Sequence, residues 1–152
     1  MVQKKTVYLG ADHGGFALKQ LLITDLPRLF PDWQIVDLGC ANEDSVDYPD
    51  YAAKVAAAVL QFGGYGILVC GTGIGMSIAA NKFKGIRAAE VWDVTTARLS
   101  REHNDANVLC LGGRVIGPLI ALDAAATWLR TEFQGGRHQR RLDGIHKLES
   151  KG

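Results

Sequence analysis

Residues 69–82 read VCGTGIGMSIAANK. An apolar run ends in Cys70, then Gly71, Gly73 and Gly75 fall at alternate positions, and a helical pattern begins. Glycines let a backbone approach a ligand closely. A helix that starts there adds free N–H groups and a positive dipole end, so the loop suits an anion or an oxyanion. Cys70 has two readings in this place. It is a small buried hydrophobe at a strand end, or it is a base. A free thiol titrates at about 8.5, and a helix N-terminus lowers that value because its dipole favours thiolate. A thiolate removes a proton, and oriented amides stabilise the negative charge that results. Cys40 and Cys110 read as buried hydrophobes.

The glycine loop alone is a weak signal, and three well-known loops do not fit it. The dinucleotide fingerprint needs glycine where Met76 stands and belongs after a first strand. A Walker A loop needs Gly-Lys, which the chain lacks. A tyrosine-phosphatase loop wants arginine where Met76 again sits. A phospho-receiver would end its third strand in aspartate rather than Cys70.

Other candidates are scattered along the chain. Asp12 and His13 follow the first apolar run, Asp47 and Tyr48 precede Pro49, and Arg114 follows the last apolar run. His103 and Asn104 end a helical stretch. Each has a bland alternative: the histidines as capping or surface groups, Asp47 and Tyr48 as turn residues. In GGRHQRR, Arg137 and Arg141 are four apart and share a helix face, which suits a phosphate. Arg140 lies about 100° around the axis, on the solvent side. The plain reading of this segment is a solvated basic face.

The elements that would carry these residues alternate in type. Expected strands are Thr6–Gly10, Gln34–Leu38, Gly66–Cys70, Ile86–Val91 and Val108–Leu111. Between them lie a helix through Leu18, Leu22 and Leu26, stopped by Pro27 and Pro31, and a helix after Pro49 with Tyr51, Val55, Val59 and Phe62 on its stripe. A short helix runs from about Gly75 to Lys82, and another from about Asp93, its N-cap, to His103. A helix opened by Pro118 carries Leu122, Leu129 and Phe133. Gly135 and Gly136 break the chain before a last amphipathic piece with Leu142, Ile145 and Leu148. This order implies an α/β fold of α/β/α layers around a five-stranded parallel sheet, with ligands at the carboxyl ends of the strands. Asp12, His13, Asp47, Tyr48, Cys70, Gly71, Thr72, Gly73, Gly75 and Arg114 would converge there. His103 and Asn104 would lie on the opposite edge, which makes sense if a second subunit supplies them.

The bulk numbers agree with a single domain. The chain has 152 residues, is 47% hydrophobic and 22% charged, and has a net charge of +1. That balance gives no electrostatic argument for nucleic acid or an anionic membrane. No apolar run reaches the roughly 20 residues of a membrane span, and the N-terminal apolar stretch is too short for a signal peptide. Cytoplasmic location is the expectation. Three widely spread cysteines and no C-x-x-C pair point away from a disulfide framework or a zinc ribbon.

Taken together, GADHGGFALK, VDYPDYA, GILVCGTGIGMSIAANKFKGIRAA, SREHNDANVLCLGGRVIG and GGRHQRR resemble, in order and spacing, the type B ribose-5-phosphate isomerases and their sugar-phosphate isomerase relatives. The blocks cover nearly the whole chain. The resemblance implies a Rossmann-like aldose–ketose isomerase without metal or cofactor. It also implies a homodimer or dimer of dimers with sites shared between subunits, and a C-terminal segment, 137–149, packed on a partner.

By the resemblance, Cys70 is the base moving the proton between C2 and C1 of an open-chain sugar phosphate. Thr72 assists at the substrate oxygens, and the backbone from Gly71 to Gly75 forms the anion hole. His103 opens the furanose ring with Asn104 beside it. Asp12 and Asp47 bind sugar or aid ring opening, and Tyr48 lines the pocket. His13, Arg114, Arg137 and Arg141 hold the phosphate. Some relatives carry Ser for this Cys and a Glu at the position of Gly75; this chain has no carboxylate there. Other sugar phosphates, of six or four carbons, fit the same chemistry. A non-enzymatic phosphate or nucleotide sensor is the alternative of a different class. No role emerges for Trp92, Asp93 or Arg140.

Overall fold

Burial with a period of two on both faces builds the sheet. In β1 (Thr6–Ala11), Val7, Leu9 and Ala11 join one core cluster, while Tyr8 packs on the other. In β3 (Tyr65–Cys70), Ile67 and Val69 face the first cluster, and Leu68 and Cys70 face the second. In β5 (Val108–Gly112), Leu109 and Leu111 alternate with Val108 and Cys110 in the same way. Strands with two buried faces need helices on both sides, which is why these runs carry so little polar character.

The computed structural model describes residues 3–151. Its five strands, completed by β2 (Gln34–Asp37) and β4 (Ala88–Glu90), are parallel and ordered β2-β1-β3-β5-β4. One helical layer holds α1 (Phe16–Leu29), α4 (Val94–Asn104) and α5 (Pro118–Arg130), packed through Leu18, Leu22, Leu26, Ala97 and Trp128. The other holds α2 (Tyr48–Phe62) and α3 (Ile74–Ala80), through Ala52, Val55, Val59 and Met76. β1 and β3 are neighbours, yet α1 leaves toward one face and α3 toward the other. Such a divergence opens a crevice at the carboxyl ends of the strands.

Several boundaries differ from the expectations. Pro27 does not stop α1, which runs on to Leu29. Pro27 sits on the exposed side, where water can meet the carbonyl left without its donor, and buried Leu26 and Phe30 hold the last turn. The fourth strand keeps only Ala88–Glu90 of Ile86–Val91. Asparagine side chains take the backbone partners at its start: Asn107 Oδ1 accepts from Arg87 N at 2.7 Å and Asn81 Oδ1 from Ala88 N at 2.8 Å. α2 begins one residue before Pro49, at Tyr48, and α3 ends at Ala80 rather than Lys82.

α5 ends at Arg130 and leaves Phe133 outside it. The chain there bonds to the end of α4 instead, with Arg101 Nε donating to Thr131 O at 3.2 Å and Gln134 N to Glu102 O at 3.1 Å. Gly135 and Gly136, both at positive φ, then turn the chain into α6 (Arg137–Glu149). Asp93 caps α4 as its type implies, accepting from Thr96 N at 2.7 Å. No described helix is long and apolar enough to cross a membrane.

Candidate active site

Cys70 is the last residue of β3 and is 4% exposed. The chain turns sharply after it, because Gly73 adopts φ +84° at the start of α3, a conformation that favours glycine. That turn brings the Gly73 amide back to the thiol, and Gly73 N donates to Cys70 Sγ at 3.1 Å. Ile74 N donates to Thr72 Oγ1 at 3.2 Å. Two amides of the stretch expected to form an anion hole are thus turned toward the loop's own side chains, one of them toward the sulfur.

The turns after β1 and β5 pack closely on this loop at their glycines. A Cβ on Gly14 would lie 3.2 Å from Gly71 N, and one on Gly113 would lie 2.8 Å from Gly14 O. Gly112 is the tightest contact with the loop, its Cβ falling 2.5 Å from Thr72 O. Backbone bonds lock the stack: Gly113 N to Cys70 O at 2.8 Å and Arg114 N to Gly71 O at 2.9 Å.

Polar side chains gather along the same edge of the sheet. Asp12, 7% exposed, accepts from Gly15 N at 3.0 Å through Oδ1. His13 Nδ1 accepts from Val46 N at 3.2 Å, so the ring tethers the loop that leads to Asp47 and leaves Nε2 as its N–H donor. Tyr48 covers Gly75: a Cβ there would come within 2.6 Å of Tyr48 Cζ. The Arg114 guanidinium lies beside Gly71, with Nη1 3.4 Å from where that residue's Cβ would be. Asp47 and Thr72 are exposed at the rim.

His103, Asn104, Arg137 and Arg141 do not join this group within the chain. His103 and Asn104 end α4 at the opposite edge of the sheet. Asn104 O accepts from Arg87 Nε at 3.2 Å, just before β4 begins. Exposed Arg137 and Arg141 stand on the first turns of α6. This helix is seated on its own chain by His138 and Leu142 and by Glu149 Oε1, which accepts from Gly85 N at 3.1 Å. Beside Asn104 a groove of about 570 Å³ is lined by Ile86, Ala88, Ile145 and Leu148. Arg140 is exposed and makes no contact that gives it a role.

Sequence reasoning passed over some groups. His138 lies in the quoted basic segment, and its ring stacks on His103. Its burial, then the neighbouring His103, Arg137 and Arg141, hold its pKa below the usual histidine range, against the opposite pull of Glu102. Glu90, one charge in an otherwise apolar strand, has a buried Oε1 without a partner, and burial raises its pKa. Burial pushes the Cys110 thiol well up, helped by the nearby Cys70 and Glu90. Cys40 is raised by burial too. Among the described residues no cluster of three or more His, Cys, Asp or Glu side chains could hold a metal ion.

The model of a family described as ribose/galactose isomerase matches residues 7–145. The chain belongs to the ribose/galactose isomerase family. Relatives in this family include a putative sugar phosphate isomerase of Bacillus subtilis, 49% identical over 149 residues, covering 95% of this chain and 97% of that one. The ribose-5-phosphate isomerase B of Escherichia coli is 44% identical over 150 residues, covering 97% and 98%. Among solved family structures, ribose-5-phosphate isomerase B of Clostridium thermocellum has a TM-score of 0.92 at 49% identity, covering 96% of this chain and 98% of that one. The Trypanosoma cruzi type B enzyme has a TM-score of 0.94 at 42% identity, covering 98% and 99%. The Rossmann-like α/β fold expected from the sequence is that of these family members.

Proposed function

We propose that this chain is an aldose–ketose isomerase that interconverts ribose 5-phosphate and ribulose 5-phosphate, with Cys70 as the base. The observation that carries this reading is the buried Cys70 sulfur at the carboxyl edge of β3, met by the Gly73 amide at 3.1 Å, with the Arg114 guanidinium lying beside the next residue, Gly71. Hydrogen bonds to a charged partner are stronger than neutral ones, so this donor serves a thiolate well.

Cys70 takes the proton from C2 of the open-chain aldose. The electron pair left behind forms the C1–C2 double bond, and the charge of the enediolate sits on oxygen. Loop amides that reach that oxygen lower the barrier, each worth about 3 kcal/mol by the usual cost of removing one. Gly73 N, bonded to the Cys70 sulfur before reaction, is released for this once the sulfur has taken the proton. The proton returns at C1, while Thr72 assists the shift between the two oxygens. His13 and Arg114 hold the phosphate, whose binding orients the reacting carbons. Asp12, Asp47 and Tyr48 hold the sugar.

His103, Asn104, Arg137 and Arg141 complete the site from a second subunit. Their position at the far edge of the sheet supports a homodimer or a dimer of dimers with shared sites. So do exposed Ile74, Ile78 and Trp92, and the apolar groove beside Asn104. The reading needs no metal or cofactor and places the enzyme in the cytoplasm.

The test is direct: incubate the protein with ribose 5-phosphate and follow ketose formation, with and without a chelator. Chelator-resistant turnover is expected. The family description names galactose as well as ribose, so phosphorylated hexoses and tetroses are run alongside. A preference for one of them would move the substrate and keep the chemistry. Tight binding without turnover of any sugar phosphate would favour a phosphate sensor instead.

A further inference from the structure

His103 ends α4 and His138 opens α6, and their rings lie nearly parallel, 15° apart with centroids separated by 4.3 Å. His138 is 7% exposed, whereas His103 is half-buried. From this stack we infer that His138 is a positioning residue for His103. The inference rests on the isomerase reading above.

His138 is held from several sides. Gly135 and Gly136 at positive φ deliver α6 to the end of α4, and His138 N donates to Gly135 O at 3.1 Å. Leu142, one turn further on the same face, is 2% exposed and pins the helix. Gln134 N to Glu102 O ties the approach to the residue before His103.

A ring stacked on one face presents its edge, and both imidazole nitrogens lie on the edge. The stack therefore sets the plane from which His103 can reach a furanose ring oxygen. Arg137 and Arg141 flank His138 in the same turns of α6. The start of α6 thus carries two phosphate-binding groups and the ring that steadies His103 of α4, whichever subunit's Cys70 they serve. The charged groups around His138 fit the assignment. Arg137 and Arg141 on its own helix and His103 on α4 disfavour a proton on it, and only Glu102 opposes them. A neutral ring is a better face for a partner that handles a proton.

The experiment is a double-mutant cycle on ribose 5-phosphate turnover. The proteins are the wild type, His138→Ala, His103→Ala, the double variant and His138→Phe, each checked for its melting transition. Misplacing a reacting group by about 1 Å can cost up to 100-fold, so His138→Ala is expected to lose roughly tenfold or more in kcat, with KM changed less. His138→Phe keeps an aromatic face and is expected within about threefold of the wild type. In the His103→Ala background, removing His138 is expected to cost nothing more. Losses that multiply in the double variant, or a His138→Phe as poor as His138→Ala, overturn the inference. Absence of turnover by the folded wild type would instead strike the isomerase reading itself.

Discussion

The ring of Tyr48 seats directly on Gly75, so close that a Cβ at that glycine would fall 2.6 Å from Tyr48 Cζ. The glycine is half-buried and the tyrosine 38% exposed, so the ring forms a wall over the loop that holds Cys70. A longer side chain at position 75 cannot coexist with Tyr48 in this place. Gly75 itself offers no carboxylate to stand in for Cys70.

Gly75→Ala should therefore move Tyr48 rather than the backbone, because the clash is with the far end of an exposed side chain. We expect a folded protein whose KM for ribose 5-phosphate rises several-fold, since a single lost contact of about 1 kcal/mol is worth a factor of about five. Steady-state kinetics with a parallel melting curve checks this. An unchanged KM would remove Tyr48 from the pocket wall.

Gly15 and Gly117 separate packing from conformational freedom. A Cβ on Gly15 would lie 2.2 Å from Val69 O, a backbone atom that cannot swing away, while one on Gly117 would meet nothing within 4 Å. Gly15→Ala should lose about 3 kcal/mol or more, at the upper end of overpacking costs. Gly117→Ala should stay within about 0.5 kcal/mol. Urea unfolding of the two variants measures the contrast.

Acid should destabilise the fold through His138. Its folded pKa is depressed, chiefly by burial, so below the ordinary histidine value of about 6.5 the unfolded chain binds the proton first. Stability is present above that pH and is lost as pH falls from there toward the depressed folded value. His138→Phe should flatten this limb. Melting temperatures of both proteins across that range, at one protein concentration, give the comparison.

The shared site makes a complementation prediction. Cys70→Ser and His103→Ala should each keep only about 1% of wild-type activity or less alone. Random exchange of subunits makes about half the dimers mixed, each with one intact site, so about a quarter of wild-type activity should return. Exchange is verified by mass tags. No recovery after verified exchange would contradict a site built from two subunits.

Much of this was legible in the chain, for physical reasons. Short apolar runs almost free of polar residues marked the buried strands, and glycines at alternate positions after β3 marked the turn where Gly73 meets Cys70. Asp93 declared its cap by type and place. Pro27 misled because a solvent-facing proline in a last helical turn costs little when Leu26 and Phe30 hold the helix down. β4 was read too long because Asn81 and Asn107, distant in sequence, take its backbone partners. The stack of His138 on His103 depends on how α6 docks, which two flexible glycines leave open. Glu90 in an apolar strand was visible, but its unpaired burial is a tertiary fact.

The central claim is that the Cys70 sulfur carries the proton between C2 and C1. General bases contribute roughly 10²–10⁴-fold, so kcat of folded Cys70→Ser on ribose 5-phosphate, compared with the wild type, tests it most directly. The account predicts a loss in that range with an unchanged melting transition. A kcat within about threefold of the wild type would contradict it.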